Sequence, residues 1–138
     1  MMKYYQYPKR DAIKNYFPLP NEIFMLDLHY GEIAVYSYLM FREDRKTYQC
    51  WPSYKTIGEA LKMSKGTVKK YVDGLREKQL IDTEHTTVTT MDGRKRNGNL
   101  LYTIRPIEEA VQFHRQLEFQ AADEEQQRLR IQEQLKVG

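Results

Sequence analysis

Apolar residues recur at helical spacing in three stretches of the first half of the chain. In "YGEIAVYSYLMFRED", Ile33, Tyr36, Leu39 and Met40 fall on one stripe and Val35 widens it, which predicts a helix from Tyr30 to Arg42. "EDRKTYQ" then has no periodicity and is expected to be a polar connector. "CWPS" brings the chain back, and Pro52-Ser53 is a helix start signal with Ser53 as the cap. A second helix is predicted from Tyr54 to Leu61, with Ile57, Ala60 and Leu61 inward. After a break at Lys62-Met63, Ser64 can cap a third helix. That helix carries Val68, Tyr71, Val72 and Leu75 on one face and ends near Lys78.

Beyond Lys78 the pattern changes. "LIDTEHTTVTT" is rich in β-branched residues and poor in helix formers, so a strand is expected. "MDGRKRNGN" holds two turn signals, Asp92-Gly93 and Asn97-Gly98, around Arg94, Lys95 and Arg96, which places those three cations at a hairpin tip. "LLYTI" is the returning strand. The order is helix, helix, turn, helix, two-stranded hairpin, so the expected fold is mainly α with a small β hairpin, a winged helix-turn-helix. An N-terminal arm and a long C-terminal helix flank it.

Three regions follow: an arm over residues 1–20, a winged helix-turn-helix over 21–105 and a helical extension over 106–138. The arm is rich in aromatics (Tyr4, Tyr5, Tyr7, Tyr16, Phe17), which are expected to pack on the domain. Asn21 is placed to cap a short turn through Phe24. Pro106 opens a polar run that can form one helix of about 45 Å. Its first half has an apolar stripe (Ile107, Ala110, Val111, His114, Leu117, Ala121), which thins beyond Asp123 to Leu129, Ile131 and Leu135. Two outcomes fit this pattern. The first half packs on the domain and the rest stays solvated, or the segment and the aromatic arm join two copies of the chain as a homodimer.

Charge changes the picture once it is divided along the 138 residues. Lys and Arg against Asp and Glu number seven to six in residues 1–49, ten to six in 50–98, and four to seven in 107–138. The middle is basic and the tail acidic, so an anionic partner would meet the middle. Within "MSKGTVKKYVDGL" the lysines crowd the N-terminal half of the third helix, where the helix dipole disfavours them by roughly 0.3–1 kcal/mol each. Projected down the axis, Gly66, Lys70, Asp73 and Glu77 point away from the buried face, with Thr67 and Lys69 on its flanks. Gly66 lets backbone approach a partner, and a phosphate at this end is favoured by lysines, dipole and free N–H groups together. A plain solvated face with a Lys69–Asp73 pair fits the same residues.

Double-stranded DNA is therefore the expected partner. Ser53, Tyr54, Ser64, Lys65, Gly66, Thr67, Lys69, Lys70, Arg94, Lys95 and Arg96 are the candidate contacts. Ser53 and Ser64 also suit a purely capping role, and Tyr54 that of a half-buried ring. Gly58 lies where a close crossing of the second and third helices needs a small residue.

"WPSYKTIGEALKMSKGTVKKYVDGLREKQLI" resembles the helix-turn-helix of bacterial GntR-type transcriptional regulators. It is similar also to the N-terminal domain of plasmid and phage replication initiators of the RepA N-terminal type. "PNEIFMLDLHYGEIAVYSYLMFREDRKT" and "GRKRNGNLLYTI" extend the second likeness to roughly residues 17–105. The resemblance implies sequence-specific DNA binding, as a transcriptional regulator or as a replication initiator or accessory protein of a mobile element. It places Ser64 and Thr67 on phosphates and Lys65 and Lys69 toward the groove. Lys62 stands where glycine is usual, so either the turn differs or Lys62 adopts a left-handed conformation. A protein-interaction winged helix is the rival reading, and retention of the basic residues argues against it.

Enzymatic chemistry is not expected. His29, His85 and His114 stand apart from any metal-ligand spacing, and no phosphate-cradling glycine loop appears. Cys50 is expected to be a small buried hydrophobe, and Glu32, Glu43 and Asp44 ordinary surface acids. No cofactor, metal or small-molecule ligand is expected. A lone cysteine and the lack of an apolar span favour a cytosolic protein, and the resemblance implies a bacterial one associated with the nucleoid.

Overall fold

The computed structural model describes residues 15–137. The arm residues Tyr4, Tyr5 and Tyr7 lie outside the described residues. A 3-10 turn, Asn21–Phe24, leads into α1 (Tyr30–Arg42), β1 (Gln49–Cys50), α2 (Tyr54–Leu61) and α3 (Lys65–Glu77). Then come β2 (Ile81–Glu84), β3 (Thr87–Thr89), β4 (Lys95–Asn97), β5 (Leu101–Ile104) and α4 (Ile107–Val137). The fold is mainly α with a small β wing.

Two antiparallel sheets form where one hairpin was expected. β5 lies between β1 and β2, with Cys50 opposite Tyr102 and Ile81 opposite Ile104. β3 and β4 form a separate ribbon, with Val88 opposite Arg96 and Thr89 opposite Lys95. The stretch expected as one strand breaks at His85-Thr86. There Thr86 accepts from the Gly98 N–H through its carbonyl (2.8 Å), while its hydroxyl donates to the Asn99 carbonyl at 2.5 Å. β1 falls in the stretch expected to be a connector. It is too short to announce itself, and pairing with β5 about fifty residues later creates it.

The core joins Ile23, Val35, Tyr36 and Leu39 to Ile57, Val68, Val72 and Leu75, and closes on Leu80, Ile81 and Tyr102. Burial shifts the α1 stripe. Gly31, Glu32, Val35, Tyr36 and Leu39 are buried, while Ile33 and Met40 are only half-buried. In α2, Ile57 and Gly58 face inward and Ala60 is exposed, contrary to expectation. Asn21 does not cap the first turn. The cap position falls on Pro20, which has no side-chain donor or acceptor.

Two helix ends use left-handed residues that are not glycine. Lys62 has φ 58° and ψ 49°, and Met63 donates to the Gly58 carbonyl at 2.9 Å. Gln79 has φ 68°, and Leu80 donates to the Leu75 carbonyl at 3.0 Å. Both are the six-to-one closure that ends a helix around a left-handed residue, usually glycine. The unusual residue at the turn thus takes the strained conformation, and the turn itself is regular.

Glu32 overturns the surface assignment. Only 5% exposed, it accepts from the His29 backbone N–H (2.9 Å) and pairs with Lys78 (2.7 Å). The imidazole of His29 in turn accepts from the Gly31 N–H at 3.0 Å, so residues 29–32 cap α1 reciprocally. A Cβ on Gly74 would collide with the Glu32 carboxylate, and one on Gly31 with the Tyr71 ring. α1 and α3 therefore cross around a buried acid, with one bare residue on each helix. Glu43 also departs from expectation. It is half-buried, its carboxyl is pushed up by burial, and one of its oxygens has no partner among the described residues. Cys50 behaves as expected: it is buried, and burial pushes its thiol up to about 11.

α4 leaves the domain almost bare. Ala110 is its one buried residue, Ile107 and Val111 are half-buried, and every residue from Arg115 to Val137 is exposed. No helix of the described residues is long and apolar enough to cross a membrane.

Candidate nucleic-acid interface

α3 is held from below by Val68, Tyr71, Val72 and Leu75, which fixes what its upper face presents. Ser64 caps it, its hydroxyl accepting from the Thr67 N–H at 3.2 Å and donating to the Thr67 hydroxyl at 2.9 Å. That leaves the Thr67 hydroxyl proton free to donate outward. The first N–H inside the helix ladder is that of Val68, which reaches the Ser64 carbonyl at 3.0 Å. With Thr67 capped, the N–H groups of Lys65 and Gly66 are the open donors of the first turn. A Cβ at Gly66 would meet nothing within 4 Å, so this backbone faces open space. Gly66, Lys69, Lys70 and Glu77 line a shallow concavity beside these donors.

The cations of α3 are not equivalent. Lys69 donates to Asp73 at 2.9 Å, and this hydrogen bond raises its pKa. Asp73 also takes Arg76 at 3.4 Å, and Arg76 reaches Thr83 on β2 at 3.3 Å. The solvated pairing is thus present for Lys69. Asp73, expected on the open face, is half-buried under its two cations. The Lys70 ammonium lies 5.7 Å from the Tyr71 ring centre. Lys65 makes no ion pair among the described residues. Arg76 lies three residues from Asp73 on the same helix and was passed over, whereas Thr83 was missed because its bond to Arg76 spans two elements.

α2 begins with Ser53, whose hydroxyl accepts from the Thr56 N–H at 3.0 Å. Tyr54 follows, half-buried, and burial pushes its phenol up. Gly58 is needed at the turn: a Cβ there would collide with the Met63 carbonyl and lie 3.7 Å from Val68. The close approach is to the turn between the helices, more than to the α3 backbone.

The wing cations are arranged differently from expectation. Lys95 and Arg96 lie within β4, and the tip is the Thr90–Arg94 turn. Gly93, at φ 82°, closes that turn by donating to the Thr90 carbonyl at 2.9 Å. Arg94 pairs with Asp92 at 3.6 Å. Successive strand residues point to opposite faces, so Lys95 joins Thr89 on one face and Arg96 joins Val88 on the other. Asn97-Gly98 is not the turn, because Asn97 ends β4 and Gly98 packs against Thr86. Asn99, which sequence reasoning passed over, ties the wing base to the Trp51 carbonyl at 3.2 Å. No hydrogen bond or ion pair joins the β3–β4 ribbon to α3 among the described residues.

Residues 26–81 match the family model described as a helix-turn-helix domain. The match spans α1 to α3 and the first residue of β2. Among solved structures, a protein described as a "possible transcriptional regulator" from Methanosarcina mazei Go1 aligns with a TM-score of 0.51 and 20% identity. The alignment covers 76% of this chain and 79% of that one. YusO from Bacillus subtilis aligns at TM-score 0.41 and 15% identity, over 85% and 80% of the two chains. A MepR mutant from S. aureus aligns at 0.39 and 16%, over 83% and 81%. No curated protein sequence matches the chain.

Proposed function

We propose that the chain binds double-stranded DNA through the N-terminal end of α3 and the β3–β4 wing, as a transcriptional regulator. The observation that carries this reading is the first turn of α3. Two open backbone N–H groups, the Thr67 hydroxyl proton, a bare Gly66 and a Lys65 with no ion pair among the described residues share one exposed helical turn. That set suits a phosphate at a helix N-terminus, with Lys65 placed to reach beyond it. Lys69 becomes available only by leaving Asp73, and Lys70 by leaving Tyr71. Ser64 and Ser53 act mainly by fixing their helix starts, and Tyr54 by bracing α2. In the wing, opposite faces mean that either Lys95 or Arg96 with Arg94 meets a given backbone, not all three. The helix-turn-helix match and the description of the M. mazei protein support a regulatory role. The likeness of residues 17–105 to replication initiators supports a second reading, in which the same surface marks a replication origin of a mobile element.

The test is a salt titration of binding to random and selected duplexes, followed by fluorescence anisotropy. Three to five neutralised phosphates give a log–log slope of about −3 to −5. Binding that is absent at low salt, or indifferent to salt, would sink the proposal and leave the protein-interaction reading.

A further inference from the structure

α4 carries a surface that its own domain leaves uncovered. At 100° per residue, Leu117, Ala121, Glu124, Arg128, Ile131 and Leu135 lie within about 40° of one line along the helix. Their spacing alternates four and three residues, the period of a coiled-coil seam. The line continues from Ala110, which is buried against the domain, into solvent, where Leu117, Ile131 and Leu135 are exposed. Two charged residues, Glu124 and Arg128, interrupt the seam at its centre, and they identify the partner.

We infer that α4 pairs antiparallel with the α4 of a second copy of this chain, about a two-fold axis at Gln126. In that register Leu117 meets the partner's Leu135, Ala121 meets the partner's Ile131, and Glu124 meets the partner's Arg128. Every apolar seam residue faces an apolar one, and each central charge faces its opposite, twice over by symmetry. A parallel pair in register would instead stack Glu124 on the partner's Glu124 and Arg128 on the partner's Arg128. The central charges thus select direction as well as partner, the role polar seam residues play in coiled coils. The larger charge pattern agrees. Residues 115–125 hold four acids and one arginine, and residues 126–137 hold three cations and one acid, so antiparallel overlap sets acidic half against basic half. Glu125 faces the partner's Gln127, and no two like charges stand directly opposite each other in this register.

The domain end of the seam is prepared for a guest. A groove of about 310 Å³ runs between Leu26 and Lys78 on one side and Ala110, Phe113, Leu117 and Ala121 on the other. The partner's last turn, with Leu135, is the segment the register brings to it. Phe119 and Leu129 lie off the seam and play no part in it. This pairing is independent of DNA binding and is tested without DNA.

The experiment is sedimentation equilibrium of the full-length chain at tens of micromolar. Twice the 16.6 kDa chain mass is expected. Arg128→Glu should weaken self-association by about tenfold or more, and adding Glu124→Arg to the same chain should restore it. Both positions are exposed, so the domain folds in each variant. Direction is read by disulfide capture, since Cys50 is buried and does not compete. An Ala121→Cys chain mixed with an Ile131→Cys chain should cross-link to its unlike partner, and neither should cross-link alone. A monomeric wild-type chain, a double swap that stays monomeric, or cross-links between like chains overturns the inference.

Discussion

α3 and α4 are both strongly charged helices, yet the chain treats them in opposite ways. α3 has 13 residues and buries four apolar side chains within its own domain. α4 has 31 residues and buries one, Ala110. On α3 the apolar face is satisfied, so its charged face is left to act on something outside. On α4 the apolar face itself is left over. The lesson is that a charge run gains meaning from what lies beneath it. The lysines of α3 stand on a fixed platform, whereas Glu124 and Arg128 of α4 interrupt a seam with nothing yet against it.

The sharpest way to test this contrast is to truncate one leucine in each helix. Leu75 is fully buried, and Leu75→Ala should cost about 3–4 kcal/mol of unfolding free energy. Leu135 is 76% exposed, and Leu135→Ala should cost the domain less than about 0.5 kcal/mol while weakening self-association. Equal costs in urea titrations would erase the distinction.

A smaller effect is expected where α1 supports the platform. Glu32→Ala removes the partner of Lys78 and of the His29 N–H, and should destabilise by about 1–3 kcal/mol. The Lys78 side chain is 39% exposed, so water replaces part of what the ion pair supplies and keeps the cost below that of a fully buried pair. Thermal melts of Glu32→Ala and Glu32→Gln separate shape from charge.

Ser64→Ala comes next. It removes the cap of α3, at about 1 kcal/mol. On the proposed function it should also weaken DNA binding, because the Thr67 hydroxyl loses the neighbour that orients it. Lys65→Ala should leave stability unchanged within about 0.5 kcal/mol and reduce discrimination between DNA sites by about 1–3 kcal/mol if it reaches base edges. Paired melting and anisotropy data on both variants distinguish platform from contact.

The smallest effect has the opposite sign. Lys62→Gly places glycine in a left-handed turn and should stabilise the domain by a few tenths to about 1 kcal/mol. The gain is limited because glycine also loosens the unfolded chain. Urea midpoints of the variant and the parent, at unchanged slope, measure it.

The three domain helices were legible in the sequence because each carries its own local signals. Apolar spacing predicts Tyr30–Arg42 and Tyr54–Leu61, the bounds observed, and Ser53 and Ser64 mark the two helix starts. At Lys62 the sequence left two outcomes open, a different turn or a left-handed residue, and the fold takes the second. Other features belong to pairs of distant residues. Glu32 is a buried acid only because Lys78 and the bare Gly74 arrive from another helix. β1 exists only because β5 returns to pair with it. Lys95 and Arg96 fall on opposite faces because they are neighbours in a strand, but that they belong to a strand and not to the hairpin tip is decided by pairing with Val88 and Thr89 on β3. Lys69 held a plain alternative, its pair with Asp73, and the folded chain forms that pair.

Periodicity, capping and charge are properties of a few consecutive residues, so the sequence by itself determined where helices lie, where they begin and which stretch is basic. What only the tertiary structure decided is which polar groups are spent inside the protein and which stay free. Glu32 and Lys78 satisfy each other across two helices, while Lys65 makes no ion pair among the described residues and the N–H groups of Lys65 and Gly66 stay open. The reason is physical: a buried or paired charge depends on the distance to its partner, and folding alone sets distances between residues far apart in the chain.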